Sequence, residues 1–391
     1  MNLSSKQSEF LNAVESGKNV FLTGKAGTGK SFVVRQAMEK LIGLGKRVVA
    51  VAPTGMAAIQ IDGQTIHSMF SLNPFGILDY QACNFLRTEK RRLLDAIDVL
   101  FIDEVSMLRA DILDAMNWTL VKNGCKGLET KQVIFIGDLK QLPVVLNDNA
   151  RSVLYANGYE GEEFFNAKIY ERMSVEKIEL DEVLRQSNEE FIQNLNIIRD
   201  GGKSEYFRQF VGRENRGVIL APHNATVQKY NNEGLAKVDA ELLTFEAVVD
   251  GNVKADDFNL GSRVEVKNGC KIMYLVNSQN NPLRNGTIGT FVQDEDKYFI
   301  DVDGVKYKIE QVEFTKKEYI LNKNANKLEL QPIGSIRQYP FKLAYALSIH
   351  KSQGLTFEEV TIDLTRPCFQ KGQLYVALSR VTSPSGLTII I

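Results

Sequence analysis

Residues 19–31 read Asn19-Val20-Phe21-Leu22-Thr23-Gly24-Lys25-Ala26-Gly27-Thr28-Gly29-Lys30-Ser31, and this stretch decides the class of the chain. Val20, Phe21 and Leu22 form an apolar run too short for a buried helix, which reads as a central strand. Gly24 to Ser31 then fit the glycine-rich phosphate-binding pattern throughout, and Val34, Ala37, Met38 and Leu41 follow at helical spacing. Strand before and helix after are the context the pattern requires. Its glycines let main-chain N–H groups converge on phosphate oxygens, and the helix start adds favourable partial charge. Gly24, Ala26, Gly27, Thr28 and Gly29 would wrap the phosphates, Lys30 would neutralise the terminal ones, and the Ser31 hydroxyl would ligate Mg²⁺. The bland alternative is a glycine-rich turn with an incidental lysine.

The same grammar repeats outward from that stretch. RVVAVA (47–52) precedes Pro53, DVLFI (98–102) precedes Asp103 and Glu104, and QVIFI (132–136) precedes Gly137 and Asp138. Short β-branched runs that end in polar loops predict a parallel α/β sheet with ligands at the strands' carboxyl ends. From about Arg185 the pattern breaks, and GVILAP (217–222), YALSIH (345–350), EVTIDL (359–364) and LTIII (387–391) predict a second sheet. Between them, residues 260–335 alternate short strands with Asn-Gly and Asp-Gly turns, the signature of hairpins and a small all-β module. The expected architecture is α/β. A first core spans 1–180, a second comprises 181–259 and 336–391, and a small β-barrel at 260–335 is inserted in the second. Residues 71–95 fit neither core and are expected to form a small surface insertion.

Composition bounds the function. A chain of 391 residues, 44% hydrophobic and 24% charged, predicts two or three ordinary globular domains. Its 47 basic and 48 acidic side chains nearly cancel, which argues against a tail-driven nucleic-acid binder but permits a local basic channel. Residues 340–391 lean that way, with five basic and three acidic side chains. Four scattered cysteines and three histidines offer no zinc, redox or disulfide framework. The amino terminus lacks a signal-like apolar region and no run is long enough to span a bilayer, so a cytoplasmic protein is expected.

Further candidates sit at strand ends. A carboxylate at Asp103 can hold Mg²⁺ opposite Ser31, and its neighbour Glu104 can orient or deprotonate an attacking water; an acidic turn is otherwise a solvated cap. Gln141, in GDLKQLP, can hydrogen-bond a terminal phosphate or that water, or belong to a plain polar loop. Gln7 has the donor and acceptor to pair with adenine. Arg185 and Arg380, where the second core begins and ends, can reach a nucleotide from its far side, or serve as surface ion-pair partners. Pro53-Thr54-Gly55 with Thr65-Ile66-His67-Ser68, and His350-Lys351-Ser352, offer hydroxyls, imidazoles and an ammonium suited to sugar-phosphate contacts that ignore base identity. Equally, the two histidines can cap helices or satisfy loop carbonyls.

Taken in order, VFLTGKAGTGKS, VAPTGMAAIQIDGQTIHSMF, VLFIDEVSMLRADILDAM, VIFIGDLKQLPVV, LDEVLRQSNEEFIQNLNIIRDG, LAYALSIHKSQGLTFEEV and QLYVALSRVTS resemble the petite-integration-frequency (PIF) family of superfamily 1B DNA helicases, with RecD-type helicases as more distant relatives. The resemblance runs from about Leu3 to the carboxyl end. It implies two RecA-like cores with ATP between them and single-stranded DNA across both. By resemblance, Gln7 reads adenine, Lys30 and Ser31 hold phosphate and Mg²⁺, and Asp103 and Glu104 are the metal-holding and water-activating pair. Gln141 is the phosphate sensor, Arg185 and Arg380 are the trans-cleft arginines, and Tyr375 stacks near the nucleotide. Thr54, Thr65, His67, His350, Lys351 and Ser352 match positions that touch DNA, while 260–335 matches a barrel of the Src-homology type and 71–95 a duplex-splitting wedge.

Three features depart from the family pattern. Val144 stands where a second proline is usual, VKNGCKGLETKQ replaces a Pro-Phe-Gly-Gly approach, and the chain stops just after the last motif, as a minimal motor would. The expectation is an ATP- and Mg²⁺-dependent DNA helicase moving 5′ to 3′ on single-stranded DNA. It would be a monomeric motor acting on forked or 5′-tailed duplex, with no membrane partner, in a bacterial or viral setting. The rivals are a translocase that remodels protein–DNA complexes with little unwinding, and a DNA-independent P-loop NTPase.

Overall fold

The computed structural model describes residues 3–25, 27–74, 76–144, 146–181, 188–258, 260–278, 281–322 and 327–391. It divides into two compact units. The first comprises residues 1–139, 143–185 and 317–333, and the second 140–142, 186–316 and 334–391.

The first unit opens with α1 (Ser5–Glu15), then β1 (Asn19–Gly24), α2 (Lys30–Gly43), β2 (Val48–Ala52), α3 (Gly55–Gln60), β3 (Gln64–Thr65) and α4 (Ile66–Phe70). It continues through α5 (Thr88–Asp95), β4 (Val99–Ile102), α6 (Ala110–Lys122), β5 (Gln132–Ile136), α7 (Asp148–Ala156) and β6 (Val175–Leu180). Among the described residues its six strands form one parallel sheet, ordered β3-β2-β4-β5-β1-β6. The four strands expected from apolar runs are its centre. The edges were not foreseen, because β3 is two residues long and β6 (Val-Glu-Lys-Ile-Glu-Leu) alternates like a half-exposed strand. Alternation also sorts the centre: Val48 and Ala50 face a cluster with Phe10, Val33 and Ala37, whereas Val49 and Val51 face one with Phe70, Leu113 and Phe135. Phe164, in the segment between α7 and β6, stacks on Phe135 of β5 with ring centroids 5.0 Å apart, which pins that segment to the sheet. Deleting such a buried ring costs about 3–5 kcal/mol.

Residues 71–95 are more anchored than a projecting insertion. Leu72, Leu78 and Cys83 are buried with Leu93 and Leu94 of α5, and the Leu78 amide donates to the buried Asp111 carboxylate at 2.8 Å. Tyr80 and Phe85 stay exposed, with the Lys122 ammonium 5.2 Å from each ring centroid.

The second unit contains α8 (Glu189–Arg199), β7 (Val218–Ala221), α9 (Asn224–Ala236), β8 (Leu242–Glu246), β9 (Val248–Gly251), β10 (Arg263–Lys267) and β11 (Lys271–Tyr274). There follow β12 (Ile288–Asp294), β13 (Lys297–Val302), β14 (Val305–Ile309), β15 (Val312–Asn322), β16 (Lys327–Gln338), β17 (Phe341–Leu343), β18 (Ala346–Ser348), β19 (Val360–Asp363), α10 (Gln373–Leu378) and β20 (Leu387–Ile390). Its parallel sheet runs β18-β7-β19-β20, the four strands expected from sequence. The β-rich stretch differs from the expected block at 260–335. Its five-stranded sheet, β14-β13-β12-β11-β17, recruits β17 from beyond residue 335, and residues 317–333 of the β15–β16 hairpin belong to the first unit. Leu321, Leu328 and Leu330 bury against the first unit's apolar cluster, a pull that turn signals alone do not reveal. No helix among the described residues is long and apolar enough to cross a membrane.

Candidate nucleotide and nucleic-acid sites

The phosphate loop closes on itself through its lysine. Gly29 adopts φ +81° as the residue before α2, a conformation that carries little penalty only for glycine. Lys30 Nζ donates to the carbonyls of Gly24 at 2.8 Å and Lys25 at 3.0 Å, and Thr28 Oγ1 donates to Lys25 at 3.0 Å. Ser31 is exposed on the first turn of α2. Gln7 Nε2 donates to the Thr28 carbonyl at 3.4 Å, which ties α1 to this loop. Gln7 also closes a reciprocal cap with Ser4: its N–H donates to Ser4 Oγ, and its Oε1 accepts the Ser4 N–H. The Ser-x-x-Gln spacing carries that second role. Ala26 lies outside the described residues.

Asp103 and Glu104 terminate β4 as expected. Burial pushes the Asp103 carboxyl above the usual carboxylate range, while the facing Lys30 ammonium opposes the rise. The charge of Lys30 thus reaches Asp103, some seventy positions away in sequence. Asp103 Oδ1 accepts the Glu104 N–H at 2.8 Å, and Glu104 adopts φ +51°, a left-handed conformation uncommon outside glycine. Backbone strain of this kind clusters at functional sites. A hydroxyl at Ser31 and a carboxylate at Asp103 are hard oxygen donors, the type that Mg²⁺ takes.

Gln141 sits in the short segment 140–142 assigned to the second unit, where Leu142 is buried in the second core. Gly372, at φ +78° just before α10, packs there so closely that a Cβ would fall 2.2 Å from the Gln141 carbonyl oxygen. Sequence reading missed Gly372; a lone glycine before a short helical pattern gives no sign of such a neighbour. Arg380 is 2% exposed, and its guanidinium donates to the carbonyls of Val376 (2.8 Å), Leu355 (3.2 Å) and Ser352 (3.4 Å) and to Ser379 Oγ (2.7 Å). The surface ion-pair alternative is thus excluded. Tyr375 is buried in the second core's apolar cluster. Arg185 lies outside the described residues.

The residues matched to DNA contacts fall into two groups. In the first unit, Pro53 leads to Thr54, whose hydroxyl oxygen accepts the Ala57 N–H at the start of α3, where Gly55 is the first helical residue. Thr65 does the same for Ser68 at the start of α4. An accepting hydroxyl still has a proton to donate, so capping and phosphate contact are compatible. Burial and the nearby Arg109 guanidinium depress the His67 pKa, with Asp111 opposing. In the second unit, His350 Nε2 lies 3.1 Å from Gln370 Oε1, and its ring stacks near the 58%-exposed Phe369, centroids 6.2 Å apart. Lys351 is exposed, whereas Ser352 is fully buried with its hydroxyl donating to the Ile349 carbonyl. Phe369 was not singled out from sequence, because Pro-Cys-Phe-Gln carries no pattern. Gln353 Nε2, one residue past this turn, is buried without a hydrogen-bond partner among the described residues.

A family model described as PIF1-like helicase matches residues 2–208. The chain is 30% identical to the ATP-dependent DNA helicase Pif1 of Bdellovibrio bacteriovorus, covering all of this chain and 88% of that protein. It is 29% identical to that of Campylobacter jejuni, covering 95% of this chain and 88% of that one. Unliganded Pif1 from Bacteroides sp superposes over the whole chain and 92% of its own, at 32% identity and a TM-score of 0.87; the same protein has been solved in complex with ADP-AlF4 and bound to ssDNA. The two parallel-sheet cores are RecA-like, as in those structures. The chain belongs to the PIF1-like helicase family.

Proposed function

We propose that the chain is an ATP-driven motor that moves 5′ to 3′ along single-stranded DNA and unwinds forked or 5′-tailed duplex. ATP-dependent DNA helicase activity is the activity of its family. The observation that carries the reading is the placement of Lys30 and the buried Asp103 after β1 and β4 of one parallel sheet, where the ammonium's charge acts on the carboxyl, next to Glu104 at φ +51°. Lys30 neutralises the terminal phosphates, Ser31 and Asp103 hold Mg²⁺, and Glu104 takes the proton of the attacking water. Bound Mg²⁺ supplies charge neutralisation at the phosphates. Gln7 reads the base, Gln141 senses the γ-phosphate, and Arg185, Arg380 and Tyr375 complete the nucleotide site. Main-chain N–H groups of Gly24, Ala26, Gly27, Thr28 and Gly29 cradle the phosphates.

Single-stranded DNA contacts Pro53, Thr54, Gly55, Thr65, His67 and Ser68 in one core and His350 and Lys351 in the other, with Phe369 as a stacking surface for a base; Ser352, fully buried and bonded to the Ile349 carbonyl, supports that turn from beneath. The Bacteroides Pif1 complexes with ADP-AlF4 and with ssDNA support both ligands. In this reading the five-stranded sheet β14-β13-β12-β11-β17 corresponds to the family's small barrel and 71–95 to its wedge, and the motor is a monomer working inside the cell. The test is ATP hydrolysis with and without oligo-dT, followed by unwinding of duplexes tailed at either end. Hydrolysis indifferent to oligo-dT removes the DNA reading, and unwinding only from a 3′ tail reverses the direction.

A further inference from the structure

The distal part of the β15–β16 hairpin makes contacts that no role assigned so far explains. Tyr319 is 7% exposed; its Oη accepts the Ala50 N–H at 3.1 Å, and its own N–H donates to Gln64 Oε1 at 3.3 Å. These bonds hold the neighbouring Glu318 against α4. There Ser68 Oγ donates to Glu318 Oε1 at 2.8 Å, and Gln64 Nε2 donates to Ser68 Oγ at 2.7 Å. Gln64 donates to the Ser68 oxygen, and the Ser68 proton goes to the carboxylate. Lys90 of α5 is attracted to the same carboxylate but closes no ion pair with it among the described residues; burial pulls its pKa down.

One oriented hydroxyl and one partly desolvated ammonium, both addressed to an anionic oxygen, are the donor set that proteins bring to backbone phosphate. A desolvated ammonium also gains more from an anion than one in water. We propose that Ser68 and Lys90 form a phosphodiester subsite for single-stranded DNA, and that Glu318 is an internal stand-in competing for it. The identity of the ligand rests on the function proposed above. Lys90 becomes a DNA contact, and Glu318 sets how much affinity the strand gives up to enter. A phosphate and the Glu318 carboxylate cannot share the Ser68 proton, so strand entry displaces the acid.

The test uses the full chain and a fluorescein-labelled oligo-dT, with anisotropy read across a salt series. Glu318→Gln keeps the shape of the side chain but removes its charge, and is expected to tighten binding about threefold to tenfold, the difference between a charge-assisted hydrogen bond and the neutral one that Gln still accepts. Lys90→Gln is expected to weaken binding and to lower the slope of log Kd against log salt by about one. In a Ser68→Ala, Lys90→Gln background, Glu318→Gln is expected to give no gain. Unchanged affinity in Glu318→Gln overturns the subsite even if Lys90→Gln fails to fold, and so does an unchanged salt slope in a folded Lys90→Gln. If His350→Ala weakens binding while these variants do not, the subsite falls and the DNA reading stands. If the wild-type chain does not bind oligo-dT at all, both fall.

Discussion

Arg380 donates from Nη1 to the main-chain carbonyl of Ser352 at 3.4 Å, so the arginine matched to nucleotide chemistry and the turn matched to DNA contact are bonded within one core. The same nitrogen reaches Leu355, and the other donors reach Val376 and Ser379. Arg380→Ala would leave several buried acceptors unpaired, so an unfolding cost of about 2–4 kcal/mol is expected in urea titrations. Turnover is expected to fall about a hundredfold or more, with a smaller change in ATP affinity. Arg380→Lys keeps the charge but not the fork and is expected to recover little of either. Wild-type turnover in Arg380→Ala would remove this residue from the nucleotide site.

At the phosphate loop, Lys30→Ala and Glu104→Gln separate binding from chemistry. Lys30 donates to carbonyls of its own loop, and its loss is expected to leave the circular dichroism spectrum intact while abolishing phosphate release. Glu104→Gln preserves side-chain shape at the left-handed turn, and is expected to retain ATP and DNA binding while hydrolysis drops about 10²–10⁴-fold, the worth of a general base. Phosphate release together with a nucleotide-binding titration on both variants checks this. Retained hydrolysis in Lys30→Ala would refute the loop's assignment.

The core strands and the phosphate loop were legible because local pattern carries them: apolar runs of four to six residues, each closed by a polar turn, can be little else. Contacts made across hundreds of positions were not. Nothing near Tyr319 in sequence says that its phenol oxygen meets Ala50, and nothing near Gly372 says that Gln141 lies against it. Arg380 shows the same limit from the other side. Its presence was legible, yet its burial depends on carbonyls from Ser352 and Leu355 that only the folded chain supplies. The β-rich stretch was read as one block because turn residues mark hairpins without saying which unit a hairpin's far end packs on.

His67 provides a pH prediction with a defined sign. Burial and the Arg109 guanidinium depress its folded-state pKa below the ordinary 6.5, with Asp111 opposing. The unfolded chain therefore takes up this proton first. Stability is complete above pH 6.5, falls as pH is lowered through the window between 6.5 and the depressed folded value, and loses nothing further from this group below it. Urea midpoints measured between pH 7.5 and about 5 are expected to drop more steeply in wild type than in His67→Gln. Equal slopes would show that His67 titrates alike in both states.

Tyr319→Phe isolates a single hydrogen bond at the sheet's edge. β3 pairs with β2 only from Val51 onward, which leaves the Ala50 N–H without a strand partner on that side; the Tyr319 oxygen takes it at 3.1 Å. The substituted ring keeps its apolar contacts with the core, so the variant removes the acceptor and little else. A buried amide left without an acceptor costs about 1–3 kcal/mol, and urea unfolding is expected to report a loss of that size without a change in the slope. Hydrogen exchange adds a local reading: the Ala50 amide is expected to lose protection in Tyr319→Phe, while those of Phe21 and Phe135, on interior strands, follow the global change alone. An unaltered Ala50 exchange rate would mean that the hairpin does not cap this edge in solution.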